Sequence, residues 1–259
     1  MDLKVKLIIL AAGQGVRLRP YTDTKPKCMV ELKGKPLLHH QLESIRQCGV
    51  KREDIALVAG YLQEALISPG IKQYRNDAFA TTNMVATLFA AEEFMHIGED
   101  LIVSYGDIVY RPEILEKLLA TDGDLVVAAD LDWYDLWKLR MENPLDDAET
   151  FKINEDGNVI ELGKKPDKRE DAQAQYIGLI KISANKVSDF IQHFHAMDKT
   201  AVYDGKDFNN MYMTSLIQSL IDSDWNVRPA LVSSGWIEVD SVEDLQVYET
   251  KKHIFADIF

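Results

Sequence analysis

The chain has 259 residues, 46% of them apolar, and a formal net charge of −13. That length suits one large α/β domain or a domain with a modest insertion. The acidic balance argues against a nucleic-acid partner, whose phosphates it would repel, but leaves a nucleotide substrate open, because local arginine, lysine and metal can reverse the sign inside one cleft.

In chain order, an apolar strand is expected over 4–10. A helix follows over 36–48, where Leu37, Leu38, Leu42, Ile45 and Cys48 recur at helical spacing. Further strands are expected at 54–59, 100–105, 124–130, 176–183 and 228–233, with helices at 84–95, 112–120, 184–197, 211–223 and 242–255. Such alternation predicts an α/β fold of Rossmann-like type: a mainly parallel mixed sheet flanked by helices. Residues 131–174 differ in character. They carry Trp133, Tyr134, Trp137, many acids and the turn Glu155-Asp156-Gly157-Asn158. They are expected to form a lid or acceptor-binding excursion within a single domain spanning 1–259. No apolar run reaches membrane-spanning length, and the N-terminus enters a strand with no room for a signal peptide. Two cysteines, Cys28 and Cys48, offer neither metal spacing nor a disulfide framework. The expectation is a cytoplasmic protein with reduced thiols and no membrane partner.

The first strand empties into Leu10-Ala11-Ala12-Gly13-Gln14-Gly15-Val16-Arg17, followed by Pro26-Lys27. Glycines let backbone N–H groups approach phosphate oxygens, and fixed basic side chains supply the charge that dipoles lack. Two familiar glycine motifs do not apply. A Walker loop needs four residues between its glycines and Lys-Ser/Thr directly after. A dinucleotide fingerprint needs a third glycine where Leu18 stands.

Two acidic sites stand out further on. Asp107 closes the Gly106-Asp107 step after strand 100–105, at the carboxyl edge where open α/β sheets place ligands. Glu238 and Asp240 lie two apart in an extended segment, so they share one face. Three carboxylates are hard oxygen donors of the kind Mg²⁺ takes. Ser241-Val242-Glu243-Asp244 reads as a capping box that would fix the backbone after Asp240. In the middle of the chain, Asn76, Thr82 and Asn83 are candidates to read a base or ribose, with Thr82 or Asn83 also serving as a helix N-cap. Gly60-Tyr61 either lies over the base or makes a simple turn.

These motifs resemble the sugar-phosphate nucleotidyltransferase superfamily, whose pattern is L-A-A-G-x-G-x-R followed by P-K, a G-D step and a late acid. The E-x-D ending and the asparagine-bearing middle resemble its phosphocholine and phosphonate cytidylyltransferase branch. The resemblance implies a GT-A-like fold and transfer of CMP from CTP to a small phosphate or phosphonate monoester, such as phosphocholine or 2-aminoethylphosphonate. It implies Mg²⁺ held by Asp107, Glu238 and Asp240, and catalysis by Lys27, Arg17 and Asp107. Lys27 would steady the α-phosphate and acceptor, and Arg17 the departing pyrophosphate. The nucleotide would lie along Leu10, Ala11, Ala12, Gly13, Gln14 and Gly15, with Gly60, Asn76, Thr82 and Asn83. Trp133, Trp137 and Tyr176 are candidate acceptor contacts, in an aromatic cage or in the core. Tyr248, Ile254, Phe255, Ile258 and Phe259 make an apolar C-terminus suited to a homodimer contact. Two alternatives stand beside this reading. A UTP- or dTTP-dependent sugar-1-phosphate enzyme would share the N-terminal loop but not the E-x-D ending. A non-catalytic nucleotide-sensing module would not need Lys27 together with three carboxylates.

Overall fold

Val5, Leu7, Ile8 and Ile9 are all buried. A strand that is apolar on both faces belongs inside a sheet with both faces covered. The computed structural model describes residues 3–66, 68–251 and 258. In chain order it contains β1 (Val5–Ala11), β2 (Glu31–Leu32), β3 (Lys35–Pro36), α1 (Leu37–Gln47), β4 (Ile55–Ala59), β5 (Lys72–Arg75), α2 (Met84–Phe89), β6 (Asp100–Tyr105) and β7 (Ile108–Tyr110). Then come α3 (Pro112–Ala120), β8 (Leu125–Asp130), α4 (Trp133–Arg140), β9 (Phe151–Ile153), β10 (Val159–Leu162) and β11 (Gln175–Ile182). The chain continues through α5 (Val187–Ala196), α6 (Met213–Ile221), β12 (Val227–Val232), β13 (Trp236–Glu238) and α7 (Val242–Thr250).

The central sheet has seven strands in the order β12-β8-β11-β6-β1-β4-β5. All pairings are parallel except those of β11, which runs antiparallel to both β6 and β8. The cause is the excursion after β8. The chain leaves the sheet at Asp130 and re-enters opposite it at Gln175. It therefore never crosses to the other edge, and β11 must run back down. This keeps residues 131–174 at the carboxyl edge, where β1 and β6 also end.

Strand alternation sorts the core. Leu7, Ile9, Leu57 and Ile102 pack on one face, and Ile8, Val58 and Val103 on the other. A third cluster gathers Leu18, Val30, Leu32, Val109, Ile237, Val239, Leu245 and Tyr248. It sits beneath the segments that carry Lys27, Asp107 and Asp240, so their backbone is anchored by burial.

All six expected strands form, each within about one residue of its expected ends. The helix expected over 84–95 stops at Phe89 and continues as a separate 3₁₀ turn, Glu92–Phe94, held by i→i−3 bonds from Phe94 to Ala91 and Met95 to Glu92. Helix α4 and the short strands β5, β7, β9, β10 and β13 were not foreseen. The helix expected over 242–255 ends at Thr250, with 252–255 outside the described residues. Tyr248 does not serve a dimer contact: it is buried, and its hydroxyl donates to the Glu238 carbonyl at 2.9 Å. Ile254, Phe255 and Phe259 lie outside the described residues, and Ile258 packs against the third cluster. No described helix is long and apolar enough to cross a membrane.

Candidate active site

The loop after β1 is set by register. Leu10 pairs with Tyr105, and the Gly106 N–H donates to the Leu10 carbonyl at 3.0 Å, so β1 and β6 end side by side. Along β1, Leu10 and Ala12 share one face and Ala11 takes the other, in the core. Leu10, Ala12 and Gly13 line a cleft with Phe79, Thr82, Asn83, Tyr105 and Asp107. Gly15 turns the loop at φ 60°, in the left-handed region, and a Cβ there would meet the Lys27 side chain at 3.0 Å. Buried Thr22 holds the turn by donating to the Gly15 carbonyl at 2.8 Å, and Tyr61 donates to the Thr22 carbonyl at 3.1 Å. Gln14 and Gly15 thus stand beyond the cleft wall, in the loop that leads to Arg17.

Lys27 opens a single 3₁₀ turn, Lys27–Met29, whose Cys28 and Met29 are buried. On the other side, β13 pairs with β7 so that Glu238 faces Ile108, and the Val239 N–H donates to the Asp107 carbonyl at 3.0 Å. Val239 points into the third cluster, which leaves its neighbours Glu238 and Asp240 on the opposite face. The result is a tight cluster. Lys27 Nζ donates to Asp107 Oδ2 at 2.6 Å and to Asp240 Oδ1 at 2.6 Å, while Arg17 pairs with Asp240 Oδ2. Asp107 lines the first cleft, and Asp240 lines a second with Arg17, Trp137, Asp147, Glu149, Tyr176, Tyr212, Trp236 and Glu238. Lys27 therefore stands where the two clefts meet.

The electrostatics follow from these contacts. Burial works against the Lys27 charge, but Asp107, Asp240 and Glu238 outweigh it and hold the ammonium well above the ordinary lysine value. Burial likewise opposes ionisation of Asp240, yet Lys27 and Arg17 pull its carboxyl below the usual range. Glu238 goes the other way. Burial pushes it up to about 7; Arg140 opposes this, and Asp107 and Asp240 add to it.

Two of the three expected metal ligands fit a hard cation. Asp107 Oδ1 is buried without a hydrogen-bond partner among the described residues, and Asp240 lies within the same lysine's reach. Glu238 does not join them: Arg140 Nη1 donates to its Oε2 at 3.1 Å. Among the described residues no group of three or more His, Cys, Asp or Glu is spaced to hold a metal. The structure thus brings Asp107 and Asp240 together at Lys27 and gives the third expected ligand, Glu238, to Arg140.

The structure divides the candidates from the middle of the chain. Asn76 is buried and donates to Thr82 Oγ1 and Thr87 Oγ1, each at 3.0 Å, while its own Oδ1 accepts from the Ala78 N–H. It shapes the 76–83 loop and does not line the cleft. Thr82 and Asn83 do line it, but Thr82 donates to the Ala78 carbonyl, and Asn83 caps α2 through Met84 N–H and donates to Asn210. Gly60 lies behind Ala12 and Phe79. The Tyr61 N–H donates to the Ala12 carbonyl at 3.2 Å, so this turn braces the loop.

Trp133 leaves the acceptor set: it is buried, and its Nε1 donates to the Ala172 carbonyl at 3.1 Å. Trp137 and Tyr176 do line the second cleft, and the Trp137 Nε1 is buried without a partner among the described residues. Sequence reasoning missed Phe79, Tyr105 and Arg140. A lone arginine inside a helix gives no signal, and two aromatics read as core until the cleft between them is seen. The capping box does form, with Ser241 Oγ accepting from the Asp244 N–H and the Asp244 carboxylate accepting from Ser241 N–H.

Residues 7–145 match the model of a MobA-like NTP transferase domain. The chain is 41% identical over 249 residues to the CTP:phosphoglutamine cytidylyltransferase of Campylobacter jejuni, covering 93% of this chain and 97% of that protein. Its fold is similar to that of the CTP:phosphocholine cytidylyltransferase from Streptococcus pneumoniae, with a TM-score of 0.68 at 21% identity over 97% of this chain and 99% of the other. It is also similar to the inositol-1-phosphate CTP transferase from T. maritima, with a TM-score of 0.73 at 21% identity over 100% of this chain and 97% of the other. At that identity the two structures establish the fold, a Rossmann-like nucleotidyltransferase sheet. With a family match over more than half its length and a relative aligned almost end to end, the chain belongs to the MobA-like NTP transferases and is a nucleotidyltransferase.

Proposed function

We propose that the protein transfers CMP from CTP to a small phosphate or phosphonate monoester and releases pyrophosphate. One observation carries this reading: Lys27 joins a carboxylate of the first cleft to a carboxylate of the second, at the point where a nucleotide and an acceptor would meet. The acceptor oxygen attacks the α-phosphorus in line, the bond to the β-phosphate breaks, and pyrophosphate leaves with that electron pair. A phosphate monoester is already anionic, so no protein base is needed. Catalysis is then positioning and charge neutralisation. Lys27 serves the α-phosphate and acceptor, Arg17 the departing pyrophosphate, and the Gly13–Gly15 loop the β- and γ-phosphates. Asp107 and Asp240 would hold Mg²⁺, which would neutralise charge on the phosphates. Residues 131–174 serve as the acceptor-side section of a single domain, through Trp137, Asp147 and Glu149.

The near full-length relative is named for CTP and phosphoglutamine, which supports CTP here and adds phosphoglutamine to phosphocholine and 2-aminoethylphosphonate as acceptors to try. The test is a matrix of four NTPs against these acceptors and sugar 1-phosphates, read by pyrophosphate release. CTP is expected to exceed UTP by at least about tenfold in kcat/KM, or roughly 1.4 kcal/mol. Cytosine and uracil exchange donor and acceptor at the 4-position and N3, and a site paired to one leaves buried groups unmatched with the other. Since Thr82 and Asn83 are engaged with their own scaffold, and Ala11 and Gly60 do not line the cleft, the backbone of Leu10, Ala12 and Gly13 is left to read the base. Equal use of UTP, or a preference for UTP or dTTP with a sugar 1-phosphate, would overturn the cytidylyl assignment. Nucleotide binding without pyrophosphate release from any pair would overturn turnover itself.

A further inference from the structure

Arg140 closes α4, inside the 131–174 excursion, and its side chain is only 3% exposed. It makes a two-pronged contact with Asp244: Nε donates to Oδ1 at 2.8 Å and Nη2 to Oδ2 at 3.2 Å. Its third nitrogen, Nη1, holds Glu238. Asp244 Oδ2 in turn accepts the N–H groups of Asp240 at 2.9 Å and Ser241 at 3.0 Å. A chain of charge-assisted bonds thus runs from α4 to the backbone of the residue that faces Lys27. The guanidinium also lies 5.1 Å from the Trp137 ring, which lines the second cleft. Without Arg140, the buried Asp244 and the partly exposed Glu238 would lose their common cation, and repulsion between Glu238 and Asp240 would go unopposed on that side.

We propose that Arg140 is a positioning residue: acting through Asp244 and Glu238, it aims Asp240 at Lys27 and ties the acceptor-side helix to the cation-binding carboxylates. This rests on the reading of Asp107 and Asp240 as cation ligands. A planar fork is needed, since a lysine carries the charge but cannot reach three oxygens on two partners at once.

The test compares Arg140→Lys and Asp244→Asn with the full-length wild type in three readouts: steady-state kinetics, Mn²⁺ binding followed by its electron paramagnetic resonance signal, and the thermal midpoint. Both variants are expected to lose tenfold or more in kcat, to keep KM for CTP within about twofold, and to bind Mn²⁺ at least fivefold more weakly. A residue that merely stabilises the fold would lower the midpoint and leave Mn²⁺ affinity of the folded protein alone. Should Arg140→Lys fail to fold, Asp244→Asn decides, because it keeps the side chain's shape and one acceptor oxygen. Wild-type Mn²⁺ affinity and kcat in the folded variants would overturn the proposal. If the wild type turns over no nucleotide but the variants still lose Mn²⁺ affinity, the transfer reading fails and the positioning role stands.

Discussion

In the cleft above β1, Thr82, Asn83 and Thr87 all bond to their own scaffold, and the wall is completed by Leu10, Ala12 and Gly13. In the neighbouring cleft Trp137 Nε1 is buried without a partner among the described residues, and burial pushes Glu149 up to about 7, with Asp147 and Asp204 adding to it. Apart from Asp107 Oδ1, at the junction with its neighbour, the first cleft's polar side chains are engaged before any ligand arrives. The second carries groups whose needs the protein does not meet. Fully bonded polar walls rigidify a site, whereas unmet buried groups lower stability and persist where a ligand completes them. On the function proposed above, the difference would give rigidity to the nucleotide side and discrimination to the acceptor side.

The largest expected effect tests the junction that both clefts share. Lys27→Ala and Asp107→Ala should each cost at least about a hundredfold in kcat with every acceptor, on the order of 3 kcal/mol. Lys25→Ala is the internal comparison, since Lys25 makes only a 3.8 Å ion pair with Glu31. It should stay within about threefold of wild type. A damaging Lys25→Ala beside a mild Lys27→Ala would mean that the loop register is wrong and that the clefts do not meet at Lys27.

How much of this was legible in the sequence follows the same division. The loop from Leu10 to Arg17 is contiguous and works through backbone, so glycines at fixed spacing announce it. The Lys27–Asp240 contact joins residues 213 positions apart, and no local pattern brings them together. Only the family resemblance did. It could not show that Glu238 belongs to Arg140, because an E-x-D pair looks alike whether it holds a cation or an arginine. Trp133 and Trp137 lie four apart on α4, so a residue-type argument treats them equally. Packing separates them, sending one indole to the Ala172 carbonyl and the other to the cleft wall. Helix α4 itself escaped notice because its aromatics and charges are spread around it rather than confined to one apolar stripe.

An intermediate effect sharpens the claim that the nucleotide side is rigid. A Cβ at Gly60 would lie 2.7 Å from Phe79 Cβ and 2.9 Å from the Ala12 carbonyl oxygen, so Gly60→Ala must push one wall of the first cleft. Overpacking of this kind costs about 1–3 kcal/mol. KM for CTP should rise about tenfold while KM for the acceptor moves less than twofold. Equal rises in both would show that the two clefts deform together and would end the distinction between them.

The smallest effect concerns Glu149 and is read in stability. Its folded-state value of about 7 lies above the roughly 4.3 of a free glutamate, so between those values the folded protein holds a proton that the unfolded chain has lost. Stability from this group is therefore full below about pH 4 and falls as pH rises through 7. Glu149→Gln keeps the shape and removes that penalty. The variant should melt about 2–4 °C above wild type at pH 8, corresponding to about 1 kcal/mol after allowing for solvent screening at a partly exposed group. The gain should shrink to a small fraction by pH 5 and vanish by about pH 4. Glu238 is also pushed up to about 7, but it is present in both proteins and cancels in the difference. A gain that is the same at pH 5 and pH 8 would mean that Glu149 carries no buried charge at neutral pH, and the acceptor cleft would then be as satisfied as its neighbour. A pH-dependent gain, joined to a loss of kcat/KM confined to acceptors bearing a cationic nitrogen, would identify the strain as the means by which this cleft selects its substrate.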